Sequence, residues 1–147
     1  MIIRPAVLED EGALLRLIEE LFEPPGAIAP GYTVERGRAG FHSAVENNYA
    51  DVLLACEGDN VVGLASVYAD ILSIRYGPRC WLQDLIVASN QRSRGVGKLL
   101  LDAAQEWARD RGCTHLELAS GGGRQDAHRF YLREGMAQSY NFFRWIG

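Results

Sequence analysis

The sequence predicts an α/β fold in which a mixed parallel and antiparallel sheet is flanked by helices. Short apolar runs of strand length alternate with segments whose apolar residues recur at helical spacing. Three consecutive strand-like runs are separated only by turn sequences, which predicts antiparallel neighbours. The third of these runs is followed by a glycine-rich loop, a helix and a further strand, and a crossover of this kind joins parallel strands.

Composition is that of one ordinary globular domain, which we expect to span residues 1–147. Hydrophobic residues make up 48% of the chain and charged residues 23%. The net charge of −4 argues against nucleic acid as a general partner. Three widely spaced cysteines favour a reducing compartment. Without a signal-peptide pattern or an apolar run near the roughly 20 residues of a membrane helix, we expect a cytoplasmic protein with no membrane partner.

The N-terminal third predicts one edge strand and two helices. Met1–Arg4 is a short apolar run, and the following proline disfavours a central strand. Helical spacing begins at Val7 and is stopped by Pro24-Pro25-Gly26. A second helix is predicted over Val34–Asn47, with a loop between the two helices.

The middle of the chain predicts three strands, a helix and a fourth strand. Turn residues separate Asp51–Glu57, Val61–Ser73 and Cys80–Ala88. An amphipathic helix then runs from Val96 to about residue 111, and His115–Ala119 is the strand that completes the crossover.

The C-terminal part predicts a short helix and a last strand. The helix covers Gln125–Glu134, and Gly135 ends it. Gln138–Ile146 is rich in aromatic residues and predicts a final strand. The complete predicted order is β, α, α, β, β, β, α, β, α, β.

The loop between the third strand and its helix predicts an anion site. Gly95 and Gly97 let the backbone approach a ligand closely, and the helix start offers N–H groups without intrahelical partners. Arg92, Arg94 and Lys98 add positive charge, and phosphate is the natural anion. The alternative is a glycine-rich turn with solvated arginines.

Two common phosphate motifs do not fit this loop. A P-loop requires glycine at the position of Arg92 and serine or threonine at that of Leu99. The dinucleotide pattern requires a third glycine where the chain has Leu100. A nucleotide-binding module is therefore disfavoured.

What does fit is Gln91-Arg92-x-x-Gly95-x-Gly97, which resembles the acyl-CoA pyrophosphate loop of the GCN5-related N-acetyltransferases. The predicted order of elements is similar to that family's fold, and the resemblance covers nearly the whole chain. It implies that acetyl-CoA binds here as cosubstrate. The implied contacts are Leu85, Ile86, Val87, Arg92, Ser93, Arg94, Gly95, Val96, Gly97 and Lys98.

A second stretch, from Ala127 to Met136, resembles the segment of the family that carries a tyrosine. The resemblance implies that Tyr131 protonates the departing thiolate as general acid. The alternative is a core aromatic residue on a short helix. Where the family often has an asparagine, this chain has Arg124, which could reach a coenzyme phosphate and is counted with the cofactor residues, or could be solvated.

The strand before the loop resembles the family strand whose backbone pairs with the pantetheine arm and splays from its neighbour. A backbone N–H near residues 85–87 would stabilise an oxyanion. Asp84 is an acid inside this apolar strand and needs a partner or a wet site. We interpret it either as a catalytic group that binds the substrate ammonium or accepts its proton through water, or as an edge carboxylate satisfied by the backbone or Arg79.

Together these features predict an N-acetyltransferase that moves acetyl from acetyl-CoA to a primary amine by direct attack. The alternative is a non-catalytic acyl-CoA-binding regulatory domain. The three histidines lack ligand spacing, so no metal is expected. The acceptor, a small amine or a peptide amine, would be shaped by Glu23–Thr33, Ala69–Pro78 and Ser139–Phe143. The resemblance also suggests a homodimer, to which Tyr140–Trp145 could contribute.

Overall fold

The computed structural model describes residues 1–69, 72–139 and 143–146, and its helices and strands follow the predicted order up to the last helix. Short 3₁₀ turns precede the first helix and follow the fourth strand. The elements are β1 (Ile2–Pro5), α1 (Glu11–Glu20), α2 (Val34–Glu46), β2 (Ala50–Glu57), β3 (Asn60–Ala69), β4 (Arg79–Val87), α3 (Val96–Asp110), β5 (His115–Glu117) and α4 (Gln125–Arg133).

The five described strands form one sheet in the order β1-β2-β3-β4-β5. Neighbours pair antiparallel from β1 to β4, and β4 pairs parallel with β5. The mixed sheet, the edge position of β1 and the parallel crossover through α3 are therefore confirmed. The crossover places the N-terminus of α3 at the carboxyl end of β4, where a ligand of an α/β sheet is normally bound.

The two faces of the sheet carry separate apolar layers. The amphipathic helix α3 buries its apolar stripe on one face, while α1 and α2 cover the other. Each fully buried leucine or phenylalanine contributes about 1.5–3 kcal/mol, so both layers hold the sheet rigidly. The buried residues include Leu100, Leu101 and Trp107 on the first face and Leu14, Leu17 and Phe41 on the second.

A β-bulge interrupts β4 at Gln83. Ser66 of β3 pairs with Asp84 while the next residue, Val67, pairs with Leu82, so Gln83 is the extra residue. The bulge reverses the side-chain alternation. Leu82 packs in the layer under α3, whereas Ile86 packs in the layer under α1 and α2. Asp84, two residues before Ile86, therefore faces the α1/α2 side.

β5 is shorter than predicted. Its three residues pair with Arg79–Trp81 of β4, and the pairing stops there rather than continuing to Ala119. The stop coincides with the bulge, because an extra residue bends a strand and increases its twist. From Leu82 onward the described strands leave that edge of β4 without a partner.

Two other boundaries differ from the sequence prediction. β3 ends at Ala69 rather than Ser73, and Ser73 instead forms an isolated antiparallel bridge with Gly77, which closes a tight turn. Residues 70 and 71 lie outside the described residues. Around the predicted strand Gln138–Ile146, residues 138–139 and 143–146 form no strand, and residues 140–142 are outside the description. The dimer surface expected there stays a prediction.

No helix among the residues described is both long and apolar enough to cross a membrane.

Candidate active site

The loop between β4 and α3 owes its path to two residues in the left-handed region. Ser93 has φ +65° and Gly95 has φ +81°. Gly95 is the N-cap of α3, and a Cβ placed on it would meet open space. Glycine is thus required here by its backbone angle and not by crowding. Ser93 adopts the same region at a cost that is about 1–2 kcal/mol for a residue with a Cβ.

The loop and the start of α3 present a row of backbone donors. Within the described residues, the N–H groups of residues 92–98 make no backbone hydrogen bond, and the ladder of α3 begins with Leu99 N–H donating to Gly95 O at 3.2 Å. Unpaired N–H groups and the positive end of the helix dipole favour an anion at this position.

The three cations of the loop are already engaged. Arg92 Nε donates to Val87 O at 3.3 Å, which folds the side chain back over the end of β4. Arg94 donates to Gln91 and lies 3.7 Å from a Glu57 oxygen. Lys98 Nζ lies 3.0 Å from Asp102 and 3.4 Å from Glu134. These neighbours reduce the free positive charge, so the backbone donors carry more of the anion site than the sequence indicates.

α4 closes the side of this region opposite β4. A Cβ at Gly97 would stand 3.4 Å from the ring of Phe130, so this ring lies directly against the start of α3. Together with the contact between Lys98 and Glu134, this fixes the C-terminal half of α4 beside the loop. The edge of β4 that lacks a described partner and the helix α4 therefore both lie beside the loop.

Asp84 is held by Ser66, its partner across β3. Ser66 Oγ donates to Asp84 Oδ2 at 3.0 Å, and the Asp84 backbone N–H donates to Ser66 Oγ at 3.0 Å. Burial raises the pKa of the Asp84 carboxyl, although the Ser66 hydrogen bond and the charge of Arg124 oppose the rise. Arg79, the other partner considered, forms an ion pair with Glu117 at 3.1 Å. A half-buried carboxyl with a raised pKa suits proton transfer near neutral pH.

Tyr131 lies on α4 within the electrostatic reach of Asp84 and Arg124. Burial raises the pKa of the Tyr131 hydroxyl to about 12, Arg124 opposes this rise, and the Asp84 charge adds to it. The hydroxyl therefore keeps its proton at any physiological pH. The ring also borders a cavity of about 1180 Å³ between β5, α3 and α4. Asp84 and Tyr131, distant in sequence, therefore interact electrostatically.

Arg124 immediately precedes α4 and reaches across to the end of α1. Its Nη2 donates to Leu21 O at 2.8 Å. A Cβ at Gly26 would collide with the Leu21 carbonyl and would lie 2.5 Å from Arg124 Nη2, so only glycine fits at that position. Arg124 therefore joins the loop after α1 to α4, and its charge acts on Asp84 and Tyr131. The expected contact of Arg124 with the coenzyme stays a prediction.

Four tyrosines could shape the acceptor pocket: Tyr32, Tyr68, Tyr76 and Tyr140. Among the described ones, Tyr68 is the one whose pKa is affected by Asp84. Partial burial and the charge of Asp84 raise the pKa of Tyr68. Tyr76 packs near His115, with ring centroids 5.8 Å apart, and Tyr32 packs against Phe22 at 4.7 Å. Tyr140 is outside the described residues.

Sequence reasoning missed Ser66 and the Leu21 carbonyl. A hydroxyl inside the apolar run of β3 was the available signal for Ser66, since a buried serine needs a partner. A backbone carbonyl carries no such signal. Across the described part of the chain, no three His, Cys, Asp or Glu residues are grouped so that they could hold a metal ion.

A comparison with known protein families decides the classification. The profile described as "Acetyltransferase (GNAT) family" matches residues 14–136, which is most of the chain. The chain belongs to this family. The family is enzymatic, so the expected class of acyl-CoA-dependent N-acetyltransferase is confirmed, and so is the resemblance recognised in the sequence.

Individual relatives agree with the family. The chain is 32% identical over 141 residues to aminoalkylphosphonate N-acetyltransferase of Salmonella typhimurium, covering 94% of this chain and 86% of that protein. It is 48% identical over 60 residues to the uncharacterized N-acetyltransferase YhdJ of Bacillus subtilis, a match that spans 41% of this chain and 42% of that protein.

The solved structures show the same GNAT fold. Aminoglycoside N-acetyltransferase AAC(6')-Iy, determined in complex with CoA, superposes with a TM-score of 0.85. The superposition covers 99% of this chain and 93% of that one at 17% identity. At this identity the likeness concerns the fold: a mixed sheet flanked by helices.

Proposed function

We propose that this protein transfers an acetyl group from acetyl-CoA to a primary amine by direct attack within a ternary complex. The observation that carries the proposal is that a loop of unpaired backbone donors follows the strand that carries Asp84, whose charge also acts on Tyr131. A proton acceptor, a proton donor and an anion site are what an acyl transfer from a pyrophosphate-bearing thioester requires.

In this proposal the N–H groups of residues 92–98 bind the pyrophosphate, with Arg92, Ser93, Arg94 and Lys98 around it. The pantetheine arm lies along the unpaired edge of β4, where the backbone of Leu85–Val87 offers hydrogen bonds as a neighbouring strand would. Arg92 Nε has to leave the Val87 carbonyl for that carbonyl to accept from the arm.

The chemical step forms one bond and breaks one. The substrate ammonium first gives a proton to Asp84 through water, and its nitrogen lone pair then attacks the thioester carbonyl. A backbone N–H of β4 stabilises the resulting oxyanion. As the intermediate collapses, the C–N bond remains and its nitrogen releases a second proton to solvent, while the C–S bond breaks and Tyr131 donates its proton to the leaving thiolate. The proton held at Asp84 returns through solvent to Tyr131, and the products are the amide and free CoA thiol.

A thiol-release assay with acetyl-CoA and a panel of amines tests this function. The panel includes aminoalkylphosphonates and aminoglycosides, for which the relatives are named, together with simple monoamines and diamines. We expect amine-dependent thiol release and a matching N-acetyl product by mass spectrometry. Tight binding of acetyl-CoA without turnover of any amine would instead favour the regulatory acyl-CoA-binding domain.

A further inference from the structure

Arg124 is a half-buried cation whose charge acts on Asp84 and Tyr131, and it has no ion-pair partner among the described residues. Over the residues the structure describes, no carboxylate lies within 4.0 Å of its guanidinium, whereas Arg92, Arg94 and Lys98 are all engaged. Its charge is nevertheless felt at both Asp84 and Tyr131. Partial desolvation of a charge is unfavourable unless a partner compensates for it, so this cation has unused binding capacity.

The guanidinium is also held in place. Its Nη2 donates to the Leu21 carbonyl at 2.8 Å, and Gly26 leaves the space for this contact. The hydrogen bond uses one donor of five and leaves Nε and Nη1 without a hydrogen bond to the described residues. A planar guanidinium fixed in this way is suited to two parallel hydrogen bonds with a phosphonate or a carboxylate.

The position of Arg124 separates it from the proposed pyrophosphate loop. Arg124 precedes α4, while Glu134, which follows α4, contacts Lys98 at the loop. A helix of nine residues is about 13 Å long, so the two ends of α4 serve different places. Arg124 stands at the end that holds the loop after α1, close to Asp84.

We propose that Arg124 binds an anionic group, a phosphonate or a carboxylate, at the far end of the acceptor, whose ammonium lies at Asp84. The acceptor is then a small zwitterionic amine rather than a polyamine or an amine without an anionic group. This inference rests on the proposed function and assigns its substrate class. It also gives Arg124 a role towards the acceptor and not towards the coenzyme.

The test compares matched acceptors on four proteins: the parent, Arg124→Gln, Arg124→Lys and the control Arg129→Gln. Arg129 lies on the same helix, pairs with Asp126 and is 66% exposed, so its replacement removes equal charge outside the site. The acceptors are 2-aminoethylphosphonate, β-alanine, propylamine and putrescine.

We expect the parent to prefer the two zwitterions, 2-aminoethylphosphonate and β-alanine. Arg124→Gln should raise the KM of the two zwitterions at least tenfold more than that of propylamine, equivalent to about 1.4 kcal/mol, and Arg129→Gln should leave the KM of every substrate nearly unchanged.

The other variants and measurements distinguish an anion-binding role of Arg124 from other roles. Partial recovery by Arg124→Lys supports a charge contact, and the ratio between the phosphonate and the carboxylate identifies the preferred anion. A rise in the KM of acetyl-CoA alone, an equal loss with every amine, or a parent that prefers putrescine overturns the inference. If the parent acetylates nothing, the proposed function fails. Calorimetry of 2-aminoethylphosphonate on the parent and Arg124→Gln, both loaded with CoA, then still decides: tighter binding to the parent supports the anion site, and equal binding overturns it.

Discussion

Ser66 Oγ both donates to the Asp84 carboxylate and accepts the Asp84 backbone N–H, each at 3.0 Å. The two residues are register partners across β3 and β4, directly beside the bulge at Gln83. One hydroxyl therefore fixes the carboxylate and the irregular backbone that carries it. Burial nevertheless makes the ionised form of Asp84 unfavourable, so the fold is stabilised less by this carboxylate than by a neutral group of the same shape.

Asp84→Asn should stabilise the protein at neutral and alkaline pH. Because the folded-state pKa of Asp84 is raised, the folded protein binds this proton more tightly than the unfolded chain. Protonated Asp84 therefore stabilises the folded protein fully below the unfolded pKa, near 3.8, and this stabilisation is lost as pH rises through the higher folded pKa. The asparagine variant does not suffer this loss. Chemical denaturation from pH 4 to pH 9 should show its advantage grow with pH and then level off.

The same variant should lose most of its acetyltransferase activity, since asparagine cannot accept a proton. Asp110→Asn is the matched control, because Asp110 is an exposed acid at the end of α3 remote from the loop. A stability advantage of Asp84→Asn that is independent of pH would contradict the assignment of a raised pKa to Asp84.

Tyr131→Phe should lower the turnover number while leaving the coenzyme site intact. The ring and its packing against Phe130, with centroids 5.3 Å apart, are retained, and only the proton donor is removed. Positioned acid catalysis contributes roughly 10²–10⁴-fold, so a loss of that order is expected in single-turnover experiments, with little change in acetyl-CoA affinity. Tyr49→Phe, at an exposed tyrosine, is the control. A loss below about threefold, too small for a positioned acid, would return Tyr131 to the role of a packing residue.

Gly95→Ala should weaken acetyl-CoA binding more than Gly97→Ala. Alanine at Gly95 has to adopt φ +81°, which costs about 1–2 kcal/mol, so the variant loop relaxes and must regain its shape on binding. At Gly97 the added methyl group meets Phe130 at an ordinary 3.4 Å and φ is not positive. Calorimetry should show a decrease of about tenfold in affinity for the first variant, equivalent to about 1.4 kcal/mol, and a small change for the second. Equal affinities for both variants would argue against the loop as the pyrophosphate site.

Features that depend on local sequence were predicted well. The apolar stripe of α3, the glycine cap before it and the turn between β2 and β3 are fixed by neighbouring residues, and each lies within a few residues of its predicted place. The parallel pairing of β4 and β5 also followed, because a strand–helix–strand crossover has essentially one geometry.

Features that depend on distant residues could not be predicted. A strict alternation along β4 puts Asp84 on the same face as Leu82, and only the pairing with Ser66 shows that Gln83 is an extra residue. The contact between Arg124 and the Leu21 carbonyl spans 103 residues and involves a backbone atom, which no side-chain pattern reveals. The proposed acceptor site is built mainly from such contacts, whereas the proposed pyrophosphate loop is one continuous segment.

The edge of β4 that the described strands leave without a partner also affects how two molecules of this protein can associate. An open row of strand N–H and C=O groups can receive a strand from a neighbouring molecule as readily as an extended ligand, and edges of this kind promote aggregation. Here the exposed stretch is short, a bulge begins it, and the Arg92 side chain covers the Val87 carbonyl at its end. A charged side chain and a kink are the means by which natural sheets discourage edge-to-edge association. The edge of β4 that the described strands leave free is thus open to an extended ligand while it is protected against self-assembly.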